Sequence, residues 1–158
     1  MHSCNATVLF RALPADSKLS ADEKRAIRTF ARNLAIRVAN CRPFVCVISD
    51  DRELRRLNNY FRSHDYPTDV LSFPSTGGSE VLGEMTISAE RAAAQAVEFG
   101  HSRVDEICIL MLHGLLHLCG LDHERDGGEM ANAEQRWRKE LRLPLNLIAR
   151  ATTSGLTR

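Results

Sequence analysis

Two rhythms of apolar residues divide the chain. Short runs rich in β-branched residues read as strands: ATVLF near the N-terminus, PFVCVIS from Pro43, DVLSF from Asp69 and VLGEMTIS from Val81. Elsewhere apolar residues recur every three or four positions, as on one face of a helix. The first such segment carries Ile27, Phe30, Ala31, Leu34 and Val38, and Ser20 with Glu23 ahead of it makes a capping-box pattern. Asp50 and Glu53 open a second helix, DRELRRLNNYF. Ser88 opens a third, AERAAAQAVEF, which Gly100 closes. Ser102, with Asp105 and Glu106 in the first turn, opens VDEICILMLHGLLHL, which Gly120 ends. Asp126 and Glu129 begin a last helix through WRKEL, stopped near Pro144. The turn-rich PSTGGSE between the last two strands suits a hairpin. Strands alternate with helices early and helices dominate late. The pattern predicts an α+β fold, a small mixed β-sheet packed with several helices.

The 158 residues suffice for one core and not two. The expected organisation is a single domain over 1–148 and a flexible polar tail over 149–158. No apolar run reaches the roughly 18 residues of a membrane helix. The N-terminal VLF patch reads as part of a strand and not as a signal peptide. Five cysteines, an odd number without C-x-x-C spacing, argue against a disulfide framework and for a reducing compartment. Cys108 and Cys119 read as small buried hydrophobes. The net charge of +1 conceals a partition: residues 1–62 carry +6, residues 63–134 carry −10 and residues 135–158 carry +5. Arg25, Arg28 and Arg32 fall opposite the apolar face of their helix, either as a solvated back or as a surface that follows phosphates.

The acidic segment holds HGLLHLCGLDH, residues 113–123. His113 and His117 stand four apart on an apolar helix, so both rings lie on one face and can reach one metal ion. Burying a lone imidazole is costly, and a shared metal satisfies two. Gly120 suits a left-handed helix end that turns the chain back and returns His123 as a third ligand. Three neutral imidazoles with an open fourth position describe a catalytic zinc site, one ion per chain. In the metallopeptidase pattern His-Glu-x-x-His the residue after the first histidine is the general base. Here it is Gly114. Its bare backbone either admits a bulky substrate or allows close packing against another element. Upstream, Arg62 stands at a helix end before DYPTDVLSFP, and its planar fork is suited to a phosphate. An exposed salt bridge, for instance to Asp65, is its other reading.

These stretches together resemble the YbeY family of bacterial endoribonucleases. The resemblance rests on Arg62, DYPTDVLSFP (65–74), LGE (82–84) and HGLLHLCGLDH (113–123), and is specific from about residue 45 to 140. Leu121 departs from the family, which usually has an aromatic or polar ring there. The resemblance implies zinc on His113, His117 and His123, and a catalytic role for Arg62. It implies single-stranded RNA as substrate, notably the 3′ end of small-subunit ribosomal RNA, with ribosomal particles and assembly proteins as partners, in the cytoplasm. Asp122 and Glu84 are the carboxylates weighed as general base, Asp122 also as an acceptor that orients a ligand imidazole. Arg52, Arg55 and Arg56 add cationic charge, and Tyr60, Tyr66 and Phe73 are rings on which bases could stack. Two rival readings remain: a metallopeptidase-type hydrolase, and a non-catalytic ribosome-assembly factor with a structural zinc.

Overall fold

The computed structural model describes residues 4–11, 13–122 and 127–145. The elements in chain order are β1 (Ala6–Phe10), α1 (Ala21–Arg37), β2 (Phe44–Ser49), α2 (Asp51–Arg62), β3 (Val70–Pro74), β4 (Gly83–Ser88), α3 (Ala89–Phe99), α4 (Arg103–Leu118) and α5 (Glu129–Glu140). A short 3-10 turn at Ala15–Ser17, which the periodicity does not announce, precedes α1. The sheet has the order β1-β2-β4-β3. β1 runs parallel to β2, and β2 parallel to β4, while β3 and β4 form the expected antiparallel hairpin. The fold is therefore α+β with a mixed sheet.

The start signals act as the sequence predicts. Ser20 Oγ accepts from the Glu23 N–H at 3.1 Å, and Glu23 returns the bond to the Ser20 N–H at 2.9 Å. Asp50, Ser88 and Ser102 cap α2, α3 and α4 in the same way, each accepting a backbone N–H three residues on. The last helix differs: Gly128, in a left-handed conformation, precedes it, and Asp126 lies outside the described residues. The domain limit at 148 and the tail lie outside them too.

Strand alternation sorts the sheet into two faces. Val8, Phe44, Cys46, Ile48, Met85 and Ile87 turn toward α1 and α4 and make the core with Ile27, Leu34, Met111 and Leu115. Burial pushes the thiols of Cys46 and Cys108 well up from their usual range, so both are inert packing groups. Cys119, in contrast, is exposed just past α4, contrary to the expectation that it is buried. On the opposite face Leu54 of α2 and Leu71 of β3 are both fully covered.

One expectation about cysteine fails outright. Cys4 and Cys41 form a disulfide, with 4.4 Å between their Cα atoms. Ala6 of β1 lies opposite Phe44 of β2, so the segments entering the two parallel strands arrive side by side. An odd cysteine count and a separation of 37 residues carry no signal of this, because the pairing of parallel strands creates it.

Arg103, the first residue of α4, clamps Glu23 with Nε at 2.8 Å and Nη2 at 2.7 Å, and so ties the starts of α1 and α4 together. That guanidinium, opposing burial and aided by the Ser20 bonds, lowers the Glu23 carboxyl from 4.5 to about 2. Because the folded value is depressed, the stabilisation is present above pH 4.5 and is lost as pH falls toward 2. We expect Glu23→Ala to cost about 1–2 kcal/mol at neutral pH, through the lost cap and a partly screened ion pair. Its stability should then fall less steeply than the wild type's between pH 4.5 and 2, as followed by urea unfolding. Parallel curves would remove Glu23 from the acid response.

Candidate active site

The site begins with how closely α4 can approach the sheet. A Cβ built on Gly114 would lie 2.9 Å from Met85 Sδ, 3.1 Å from Ser72 Oγ and 3.3 Å from Val70 Cγ2. Position 114 thus faces the β3–β4 hairpin, and Ser72 Oγ donates to the Gly114 carbonyl at 3.1 Å across the contact. Of the two reasons weighed for this glycine, close packing is the one observed. It also excludes a glutamate at the place where a metallopeptidase carries its base.

With Gly114 against the sheet, its neighbour His113 turns toward α5. The rings of His113 and His117 stand edge to face, with centroids 4.9 Å apart. His113 is 8% exposed and His117 half-buried. His113 Nδ1 lies 2.6 Å from Oε1 of Glu134, on α5. An ionised carboxylate only accepts, so the neutral ring that suits this contact carries its proton on Nδ1, and Nε2 is then the nitrogen that would ligate a metal. Glu134 is held in turn by Arg138 one turn later: Nη2 donates to Oε2 at 3.1 Å, from a side chain only 1% exposed. The sequence reading missed both residues. The spacing of Glu134 and Arg138 as an i,i+4 pair is visible in the sequence, but nothing local links it to a histidine 21 positions earlier.

α4 ends as the glycine predicts. Gly120 has φ +99°, its N–H reaches the His117 carbonyl at 3.0 Å, and Leu121 N–H reaches the Leu116 carbonyl at 3.0 Å. Leu121 packs partly buried against the core, so apolar contact steadies the turn at the position where the family has a ring. Asp122 follows, half-buried. His123 lies outside the described residues. Among the described residues no set of three ligand-type side chains is gathered. What is present is a two-histidine pair whose donor set, rings on one face with one tautomer locked, fits a divalent transition metal.

Arg62 ends α2, half-buried, where Ser63 turns the chain with a positive φ of 58°. Phe61 beside it packs on Phe73 at 5.0 Å, and Tyr60 stands edge-on to Phe61 at 4.7 Å. These rings stay open to solvent, Tyr60 at 76% and Phe61 at 58% exposed. Tyr66 instead stacks on His64. Ser72 meets α4, so Phe73, the next residue, faces the other side of β3, the side of α2. Phe73 pairs with Glu84, and Leu118 of α4 abuts Gly83. Arg62 and the histidine helix therefore come to the same end of the sheet, on either face of the edge strand β3. Glu84 is exposed on the α2 side, away from the histidines, while Met85 takes the α4 side. Asp65 is engaged by Arg55, at 2.8 and 3.1 Å.

A mixed four-stranded sheet with a histidine-bearing helix laid across its hairpin defines a small α+β domain of a particular kind. Comparison with known proteins places it. The model of the family described as endoribonuclease YbeY matches residues 14–142, and the chain belongs to that family. The endoribonuclease YbeY of Solibacter usitatus is 54% identical over 145 residues, covering 92% of this chain and 94% of that protein. The protein of the same name from Koribacter versatilis is 52% identical over 108 residues, covering 68% and 70%. A solution structure of a Thermotoga maritima protein superposes with a TM-score of 0.54 at 27% identity, covering 87% of this chain and 92% of that one. The family is thus one of RNA-cleaving hydrolases, as the sequence resemblance implies.

Gly114→Ala tests the packing that sets the site. The helix gains about 1 kcal/mol of propensity, and the crowded methyl costs about 1–3 kcal/mol. We expect a net loss near 1 kcal/mol and a Tm lower by a few degrees, read by thermal unfolding. A stabilised variant would mean that α4 can lift from the hairpin freely.

Proposed function

We propose that this chain is a zinc-dependent endoribonuclease specific for single-stranded RNA. In this reading it matures the 3′ end of small-subunit ribosomal RNA and serves ribosome assembly and quality control in the cytoplasm, with residues 1–148 as the hydrolase domain. The observation that carries the reading is the His113–His117 pair with the His113 tautomer locked by Glu134. His113, His117 and His123 would hold the ion. Bound there, zinc supplies Lewis acidity toward a phosphate oxygen and a water whose pKa falls toward about 7.

The chain's own residues do the rest. Glu134 and Arg138 hold the His113 ring in one orientation. Neutral ligands leave the metal's charge uncompensated, which suits an anionic substrate over a neutral peptide. Arg62 would take the phosphoryl oxygens through paired N–H donors and stabilise the charge that grows on them. The exposed Tyr60 and Phe61 rings beside it offer faces to unpaired bases, each stack being worth about 1–3 kcal/mol. Single-stranded RNA presents such bases and a duplex does not. The crowding at Gly114 argues against the peptidase alternative. No described helix is long and apolar enough to cross a membrane.

Cleavage of a single-stranded ribosomal RNA fragment by zinc-loaded protein is the direct test. Arg62→Ala and His117→Ala should each lose about a hundredfold or more in rate. Undiminished cleavage by Arg62→Ala would remove it from the site. A wild-type protein that holds one zinc ion and cuts no RNA would favour the non-catalytic assembly factor. Glu134→Ala should weaken zinc binding about 10- to 100-fold in a chelator competition. Unchanged affinity would reduce Glu134 to a packing group.

A further inference from the structure

The sequence offers two basic clusters, and the structure treats them differently. On α2 two of the three clustered cations are engaged at home. Arg55 is clamped by Asp65, and Arg56 is paired with Glu53. Along α1, Lys24, Arg28 and Arg32 have no carboxylate partner among the described residues, while Arg25 pairs with the exposed Asp22 at 2.8 Å and Arg37, at the helix end, with Glu140 at 3.5 Å. Lys24, Arg25, Arg28 and Arg32 are the ones grouped together. These four cations line a groove of about 680 Å³ between α1 and the edge strand β1, with Asn5 and Thr7 on the strand side and no acidic side chain in the lining.

Two further features set the groove apart from an ordinary solvated helix back. Lys24 Nζ lies 5.3 Å and Arg28 Cζ 4.9 Å from the centre of the Phe10 ring, so cation–π attraction holds both heads over the strand. Lys24, Arg28 and Arg32 also recur every four residues, which places them about 6 Å apart in a row along the helix. Charges beside an edge strand can simply guard it against pairing with another chain. That role needs one or two cations and no cavity.

The groove is remote from the histidines. β1 and β3 are the opposite edges of a four-stranded sheet, about 14 Å apart at the usual strand spacing. We propose that this groove is a second contact for the substrate, a track that holds the phosphodiester backbone of single-stranded RNA away from the bond being cut. The inference rests on the endoribonuclease reading and adds where, and by what chemistry, the rest of the strand is held. It follows that RNA long enough to reach both places binds better than RNA that fills only the histidine end.

The test compares the full-length wild type with Arg28→Ala/Arg32→Ala and with Arg55→Ala/Arg56→Ala, which removes the same charge from α2. All four positions are exposed, and circular dichroism checks the fold. Affinity is measured across a salt series for single-stranded RNAs of about 16 and about 4 nucleotides, along with the cleavage rate of the short one. The α1 variant should bind the long RNA at least tenfold more weakly. Its log-affinity against log-salt slope should be shallower by about 1.4, the value for two lost phosphate contacts on a single strand. It should cut the short RNA at the wild-type rate, and the α2 variant should match the wild type throughout. Equal losses in both double variants, or an α1 variant that binds long RNA as the wild type does, would overturn the track. Unchanged RNA affinity with weakened binding of an acidic peptide strand would give the groove to a protein and also overturn it. A wild type that neither binds nor cuts either RNA would instead defeat the endoribonuclease reading itself.

Discussion

The approach of α4 to the β3–β4 hairpin is the constraint on which the site depends. It is possible because Gly114 has no side chain, and the Ser72 hydroxyl bonded to the Gly114 carbonyl pins the contact. Side chains on a helix step around the axis by a fixed angle. Once position 114 is committed to the sheet, positions 113 and 117 are committed to the side where α5 packs. The same contact places Leu118 against Gly83, so α4 ends, and its chain turns back, beside the mouth of the hairpin.

Behind the histidines runs a chain of polar groups, His113 to Glu134 to Arg138, most of it out of solvent. Burying charged groups is unfavourable, and apolar residues of similar size would often be as stable or more so. Such a network is better understood as specification. It fixes one ring orientation and one tautomer, and its members α4 and α5 must dock in one way for it to form. The pair Arg103–Glu23 does comparable work at the start of α4, where it joins a helix cap to a distant helix. α4 is thus held at its start by the Arg103–Glu23 pair, and further along by the His113–Glu134 contact and the close packing of Gly114 beside it.

Charge is partitioned as well as paired. Residues 63–134, with the histidines, carry −10, and residues 1–62, which build β1, α1, β2 and α2, carry +6. The fold puts β1 with α1 at one edge of the sheet and the hairpin strand β3, beside the histidine helix and the end of α2, at the other. On the proposed reading a polyanion would be drawn to the β1 edge by the grouped α1 cations, and at the histidine end would meet Arg62 and open aromatic faces. Long-range attraction and local chemistry are separated in space.

Much was legible in the sequence because it is local. Strand and helix rhythm, four helix caps, the Gly120 turn and the pairing of His113 with His117 all depend on residues within one or two turns of each other. The family resemblance followed from such local words, Arg62, DYPTDVLSFP and HGLLHLCGLDH. What stayed hidden depends on which elements dock. The Cys4–Cys41 bridge exists because two strands run parallel. Glu134 meets His113 because α5 packs on α4, and Glu84 is turned from the histidines by strand alternation. The sequence by itself determined the elements, their ends and the chemical groups at hand, since short-range sterics and hydrogen bonding decide those. Only the tertiary structure decided the sheet order, the reason for Gly114 and the partner of each imidazole, because contacts between distant segments are set by packing and leave no local trace.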